Sequence, residues 1–158
     1  MPNHPGHLMA LLLLACLPHA THAQATPATV GAPAGVVKRS VGKVMLERAG
    51  LSILVQPGQV VQVGDTLRTG PASAAGITLR DDTLLTAGPE SELQITRFAF
   101  DELTQGGNLL ASLWRGTLAV VTGLISKRTP DNLKVQTRTV VLGSRGTEFI
   151  VESSGAAP

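Results

Sequence analysis

From Val36 onward the chain is built of short runs rich in β-branched and other apolar residues, separated by turn residues. The runs are Val41–Leu46, Leu51–Val55, Val60–Val63, Gly76–Leu79, Leu93–Thr96, Thr117–Thr122, Leu133–Thr137, Thr139–Leu142 and Thr147–Val151. Between them stand Pro57-Gly58, Gly64-Asp65, Asp81-Asp82, Gly88-Pro89, Gly106-Gly107, Arg115-Gly116 and the segment Gly143 to Gly146. Apolar runs of this length, punctuated this often, predict an all-β domain. Leu109–Trp114 reads as a further strand. Glu148 to Glu152 (EFIVE) is more apolar than alternation requires, which predicts a strand covered on both faces.

One self-similarity stands out. Asp65 to Gly70 (DTLRTG) recurs 17 residues later as Asp82 to Gly88 (DTLLTAG). Such a spacing suits one rung of a short β-solenoid, in which each rung stacks its apolar side chains on the next. A tight two-sheet β-sandwich accommodates the same Val, Leu and Ile content. Either needs its edges covered, a task the Gly106–Lys127 region is placed to perform.

The first 25 residues differ from the rest. Met1 to His7 is polar, Leu8 to Leu17 almost wholly apolar, and Ala20 to Ala25 rich in small residues, the order of a secretory signal peptide. The 10-residue apolar run is too short to span about 30 Å of hydrocarbon as a helix. Cleavage is expected after Ala23 or Ala25. Leu13-Leu14-Ala15-Cys16 loosely resembles a lipoprotein signal, so lipidation of Cys16 is the competing reading. This gives a signal peptide over 1–23, a flexible leader over 24–35, a β domain over 36–152 and a disordered tail over 153–158. The location expected is periplasmic or secreted, with no integral membrane segment after cleavage.

Composition narrows the chemistry. His4, His7, His19, His22 and Cys16 all lie in the expected signal, and the chain has no Tyr. The mature chain is thereby without a Cys–His pair, a Ser–His–carboxylate triad, a His or Cys ligand for zinc, or a disulfide. No cofactor and no metal are expected. The carboxylate neighbours Asp81-Asp82 and Glu90/Glu92 remain, but a glycosidase needs facing carboxylates and usually an aromatic platform. Phe98, Phe100, Trp114 and Phe149 are the only aromatics. Asp81-Asp82 reads as a turn. The 13 Lys and Arg against 11 Asp and Glu leave a net charge of +2, with no basic stripe of the kind nucleic-acid binders carry. The expectation is a non-enzymatic binding or signalling domain.

Two stretches resemble the FecR domain family. The first is Gly58 to Gly70 (GQVVQVGDTLRTG), followed by Ala74 to Thr83 and Gly88 to Leu93. The second is Val135 to Val151 (VQTRTVVLGSRGTEFIV). The family pattern often has Pro where this chain has Arg138, and Gly where it has Asp82. The best-known FecR proteins couple such a periplasmic domain to a spanning helix and a cytoplasmic anti-sigma segment. This chain shows neither, so the sigma-factor role is not carried over. The resemblance implies a periplasmic β domain that recognises another envelope component, a protein in the first instance. A cell-wall or polysaccharide-binding module is the alternative.

The residues singled out are Gly64, Asp65, Thr66, Asp82, Gly143, Arg145, Gly146 and Thr147. Gly143 and Gly146 on either side of Arg145 permit positive φ or close approach of another strand. The Arg145 guanidinium is suited to bidentate pairing with a carboxylate or phosphate. The reading preferred is a clamp, with Arg145 paired to an internal acid such as Asp65 or Asp82 and tying the two motif halves together. A ligand-binding Arg145 is the other. Gly64-Asp65-Thr66 reads as a turn.

Overall fold

Four long strands, each bent sharply in the middle, carry the architecture. The computed structural model describes residues 31–143 and 146–155. In chain order the strands are β1 (Pro33–Val41), β2 (Val44–Arg48), β3 (Leu51–Leu54), β4 (Val60–Gln62), β5 (Thr66–Thr69), β6 (Ala74–Leu79), β7 (Leu84–Ala87), β8 (Glu92–Phe100), β9 (Gly107–Val121), β10 (Leu133–Gln136), β11 (Val141–Gly143) and β12 (Glu148–Ser153). A short helix, α1 (Leu124–Arg128), and a 3-10 turn (Pro130–Asn132) precede β10. The order β3-β2-β5-β8-β9-β7-β6-β1-β4 makes one sheet, with β10 and β12 added along β9 and β11 added to β10.

In one half of this sheet β1 pairs with β6, β6 with β7, and β7 and β12 with residues 116–121 of β9. In the other half β2 pairs with β5, β5 with β8, and β8 with residues 107–115 of β9. Besides the longer connections, the chain bends directly from one half to the other at four adjacent places: 42–43, 70–73, 88–91 and 116–117. The sheet curls there into an antiparallel half-barrel. Its two inner faces share one core, in which Leu46, Leu67, Leu93, Ile95 and Leu113 of one half meet Ile77, Leu79, Leu85, Leu118 and Val120 of the other. Each such side chain contributes about 1.5–3 kcal/mol on burial.

The corners are built twice from the same four-residue pattern. Gly70-Pro71-Ala72-Ser73 faces Gly42-Lys43, and Gly88-Pro89-Glu90-Ser91 faces Gly116-Thr117. In the first, Gly70 N–H donates to Lys43 O at 2.9 Å. Lys43 N–H donates to Ser73 Oγ at 2.9 Å, and Ser73 Oγ donates to Pro71 O at 3.0 Å. In the second, Gly88 N–H donates to Thr117 O at 2.9 Å, Thr117 N–H to Ser91 Oγ at 3.0 Å, and Ser91 Oγ to Pro89 O at 3.2 Å. Ala72 and Glu90 both take positive φ, at 52° and 50°. Gly42 and Gly116 do so at 72° and 86°, and a Cβ on either would strike the side chain of Ser73 or Ser91. The serine hydroxyl occupies the space that a side chain on the opposing strand would need. Thr69 joins the corners, donating through Oγ1 to Gly88 O at 2.6 Å and accepting from Ser91 N–H at 2.8 Å.

The all-β expectation holds. The strands do not stack as solenoid rungs: pairing is antiparallel throughout, except for β10 along β9. The repeat beginning at Asp65 and Asp82 is real at its C-terminal end only, where it places Gly70 and Gly88 at the two corners. Val41–Leu46 is not one strand, because its centre, Gly42-Lys43, is a corner. β1 starts at Pro33, inside the stretch expected as leader. The region 106–127 does not cover an edge. It is mostly β9, the central strand that both halves share. Nor is β12 covered on both faces, since Ile150 is 69% exposed and only Val151 and Ser153 are buried. Cys16 and the signal segment lie outside the described residues.

Gly116→Ala combines left-handed strain with the collision against Ser91. Gly58 has φ of +93° and open space around a Cβ, so Gly58→Ala carries strain alone. Thermal unfolding should show Gly58→Ala costing about 1–2 kcal/mol and Gly116→Ala several degrees more in Tm. Equal losses in the two variants would remove the hydroxyl-for-side-chain account of the corner.

Candidate functional site

Asp65 sits at the β4–β5 turn, 2% exposed. Its partner is Arg48 at the end of β2. Arg48 Nε donates to Asp65 Oδ1 at 2.8 Å and Nη2 to Oδ2 at 2.6 Å, the bidentate arrangement. Gln62 N–H adds a bond to Oδ2 at 2.7 Å, and Arg48 Nη2 also reaches Val60 O at 2.8 Å. The hydrogen bonds to Asp65 hold the Arg48 guanidinium above its ordinary pKa. The cluster ties β2 to the β4–β5 turn, with Arg48 as the cation paired to Asp65. Gly64, with φ of +93°, makes the turn, and Thr66 opens β5. Arg145 lies outside the described residues.

The second acid pair divides its roles. Asp81 is fully buried and Asp82 is exposed. Asp82 takes φ of +65° in the β6–β7 turn, which explains why glycine suits the position. Asp81 Oδ2 accepts from Thr83 Oγ1 at 2.7 Å and Ile125 N–H at 3.4 Å, and its Oδ1 from Thr83 N–H at 3.2 Å. Leu124 N–H donates to Asp81 O at 2.7 Å. A Cβ on Gly123 would collide with the Asp81 and Asp82 backbone, so glycine is required where α1 docks onto this turn. Thr122 then links the same place to the last motif: its N–H donates to Thr147 O at 2.9 Å and its Oγ1 to Gly146 O at 3.1 Å. The structure thus brings Asp82, Gly146 and Thr147 to neighbouring turns through Thr122-Gly123. Gly64, Asp65 and Thr66 form a separate cluster with Arg48.

Three further carboxylates are held in ion pairs. Arg68 bridges Glu47 at 3.2 Å and Glu92 at 3.0 Å, and Arg80 meets Glu102 at 2.9 Å. No group of three potential metal ligands occurs among the described residues. Another surface lies on the outside of β8, β9, β10 and β11. An open groove of about 400 Å³ runs there, lined by Arg97, Asn108, Asp131, Lys134, Gln136 and Val141 among others. Asn108 Oδ1 is buried without a partner. Gly143 ends β11 at its rim, and a Cβ there would meet nothing within 4 Å.

A family model described as FecR protein matches residues 65–157, more than half the chain. The chain belongs to the FecR family. No curated protein and no solved structure matches it. The FecR match starts at Asp65, yet β1 to β4 are integral to the fold, since β1 pairs with β6 and β2 with β5. FecR domains are signalling and regulatory domains. Sequence reasoning missed Arg48, and it read Asp81 correctly as a turn residue but not as a buried one. The signal for both was burial: an acid inside a turn needs a dedicated cation or several N–H donors.

Arg48→Met leaves the Asp65 carboxylate buried and unpaired. The Arg48 side chain is 28% exposed, so the loss should be roughly 2–4 kcal/mol, towards the low side for a broken buried pair. Adding Asp65→Asn should recover part of it in a double-mutant cycle. Arg80→Ala, which breaks a pair whose Glu102 partner is 72% exposed, should change stability by less than about 1 kcal/mol. Denaturant unfolding of the set decides, and an Arg48→Met loss no larger than that of Arg80→Ala would contradict the Arg48–Asp65 clamp.

Proposed function

We propose that this FecR-family chain is an exported, non-catalytic module that recognises another component of the cell envelope, a protein in the first instance. Membership of a signalling and regulatory family carries the reading. The N-terminal pattern of a signal peptide supports the location. The bonding of the buried acids supports the lack of catalysis: Asp65 and Glu92 pair with Arg48 and Arg68, and Asp81 accepts from Thr83 and from backbone N–H groups. No helix among the described residues is long and apolar enough to cross a membrane.

Polysaccharide recognition is the second reading, favoured by the amide and charged lining of the β8–β11 groove. It is second because Phe98 is buried and Trp114 half-buried, which leaves the groove without a stacking platform.

Protein recovered from the envelope of producing cells should begin at Gln24 or Thr26 when sequenced from its N-terminus. An uncleaved chain retained in the cytoplasm would end the export reading. Immobilised on a column, the chain should retain one specific protein from detergent-solubilised envelope. Retention by purified cell wall instead would transfer the assignment to polysaccharide.

A further inference from the structure

The open edge of β11 sets it apart from its neighbours. β11 pairs only with β10, in the register Lys134–Gly143, Val135–Leu142 and Gln136–Val141. At the turn, Thr137 N–H donates to Val140 O at 2.8 Å. In an antiparallel pair hydrogen-bonded and non-bonded positions alternate. Leu142 therefore bonds inward to Val135, and the N–H and C=O groups of Val141 and Gly143 point away from β10 into solvent. Val140, Val141 and Leu142 are 48%, 57% and 38% exposed. No charge, proline or bulge guards the three residues of this strand, the usual protection of a natural edge. By contrast β12, the edge along the other half of β9, carries Glu148 and Glu152 on its exposed face.

The face beside β11 adds a charge preference. Lys134 stands directly opposite Gly143, and Arg97 lies two strands further on in the same row, through Leu110. Neither the Lys134 nor the Arg97 side chain makes an ion pair or hydrogen bond with a described residue. Asp131 is the single acid lining the groove. Lys134 is about 10 Å from where an added strand would lie, two strand spacings away, within reach of two extended side chains. On the other face of β11, Leu142 flanks the buried Val135 and offers an apolar seat.

We propose that β11 receives an added strand from the partner: an extended segment of alternating apolar and acidic residues, its apolar side chains beside Leu142 and its carboxylates towards Lys134. This deepens, and rests on, the reading of the chain as an interaction module. Backbone bonds to Val141 and Gly143 hold the segment and the two faces select it, the logic of β-strand addition. β3 closes the opposite end of the same half and also exposes Leu51 and Leu54, but the groove beside it presents Glu47, the wrong sign for such a segment.

The test uses the purified full chain and two labelled, end-capped ten-residue peptides, one alternating Val and Glu, the other Val and Lys, read by fluorescence anisotropy. The Val/Glu peptide should bind saturably and more tightly. Val141→Pro removes an N–H that makes no bond to β10, so Tm should hold while affinity falls about tenfold or more, the loss of one or two hydrogen bonds. Lys134→Glu should reverse the order of the peptides. Absence of binding by either peptide, binding without charge preference, or binding indifferent to Val141→Pro would overturn the proposal. So would self-association abolished by Val141→Pro, which would give the edge to a second copy of the chain. Photocrosslinkers placed at 141 and at 54 in producing cells separate this proposal from the broader reading. Adducts with an envelope protein from 141 support both. Adducts from 54 alone overturn the strand seat and leave the module reading intact, and none from either counts against both.

Discussion

The fold depends on making a strand turn through a sharp corner without losing its hydrogen bonds. At a bend the ladder is interrupted, and the interrupted N–H and C=O groups still need partners. Here the bend is taken by Gly42 and Gly116, whose missing side chains admit a serine hydroxyl from the neighbouring strand. Ser73 and Ser91 accept the stranded N–H of Lys43 and Thr117 and donate to a proline carbonyl in their own loops. Because the two devices sit side by side and share Thr69, four bends align. The sheet then closes on a single core, whereas separate bends at different heights would leave the two halves out of step.

A second consequence is the economy of the core. The buried side chains are Val, Leu, Ile and Ala with a single Phe, so the two inner faces approach closely and shape is set by aliphatic packing. Two acids enter this interior with partners supplied, whereas Glu92 Oε2 and Asn108 Oδ1 are buried without one. Asp65 brings Arg48, and Asp81 brings Thr83 and the amides at the start of α1. Asp65 and Asp81 are thus bonded within the fold, while on the outside of β8–β11 the Arg97 and Lys134 side chains make no ion pair or hydrogen bond with a described residue.

Much of the strand content was legible because alternation and turn residues are local signals. The runs at 51–55, 60–63, 76–79, 133–137 and 147–151 each correspond to a strand. Where reading failed, the cause was non-local. Gly42 and Gly116 look like turn residues or flexible points until the opposing serines are known, so a corner was taken for a strand at 41–46 and the unity of β9 was hidden. The pattern Gly-Pro-x-Ser at 70–73 and 88–91 was visible in the sequence, but its meaning depends on the residues 30 and 26 positions away that its serines bond. Pairing partners are equally opaque. Asp65 called for a cation, and only the register of β2 against β5 shows why Arg48, and no other, reaches it.

The position of β9 also orders the birth of the fold. Residues 107–121 are the seam on which β7, β8, β10 and β12 all depend. A chain emerging from its N-terminus presents bare edges on β7 and β8 until that segment arrives, and non-local pairing of this kind is slow. During that interval the nascent domain is a half-open sheet with its aliphatic interior accessible. Its aliphatic interior is therefore most exposed to wrong contacts before completion, and what a holding chaperone would need to cover is the pair of edges that β9 later takes up.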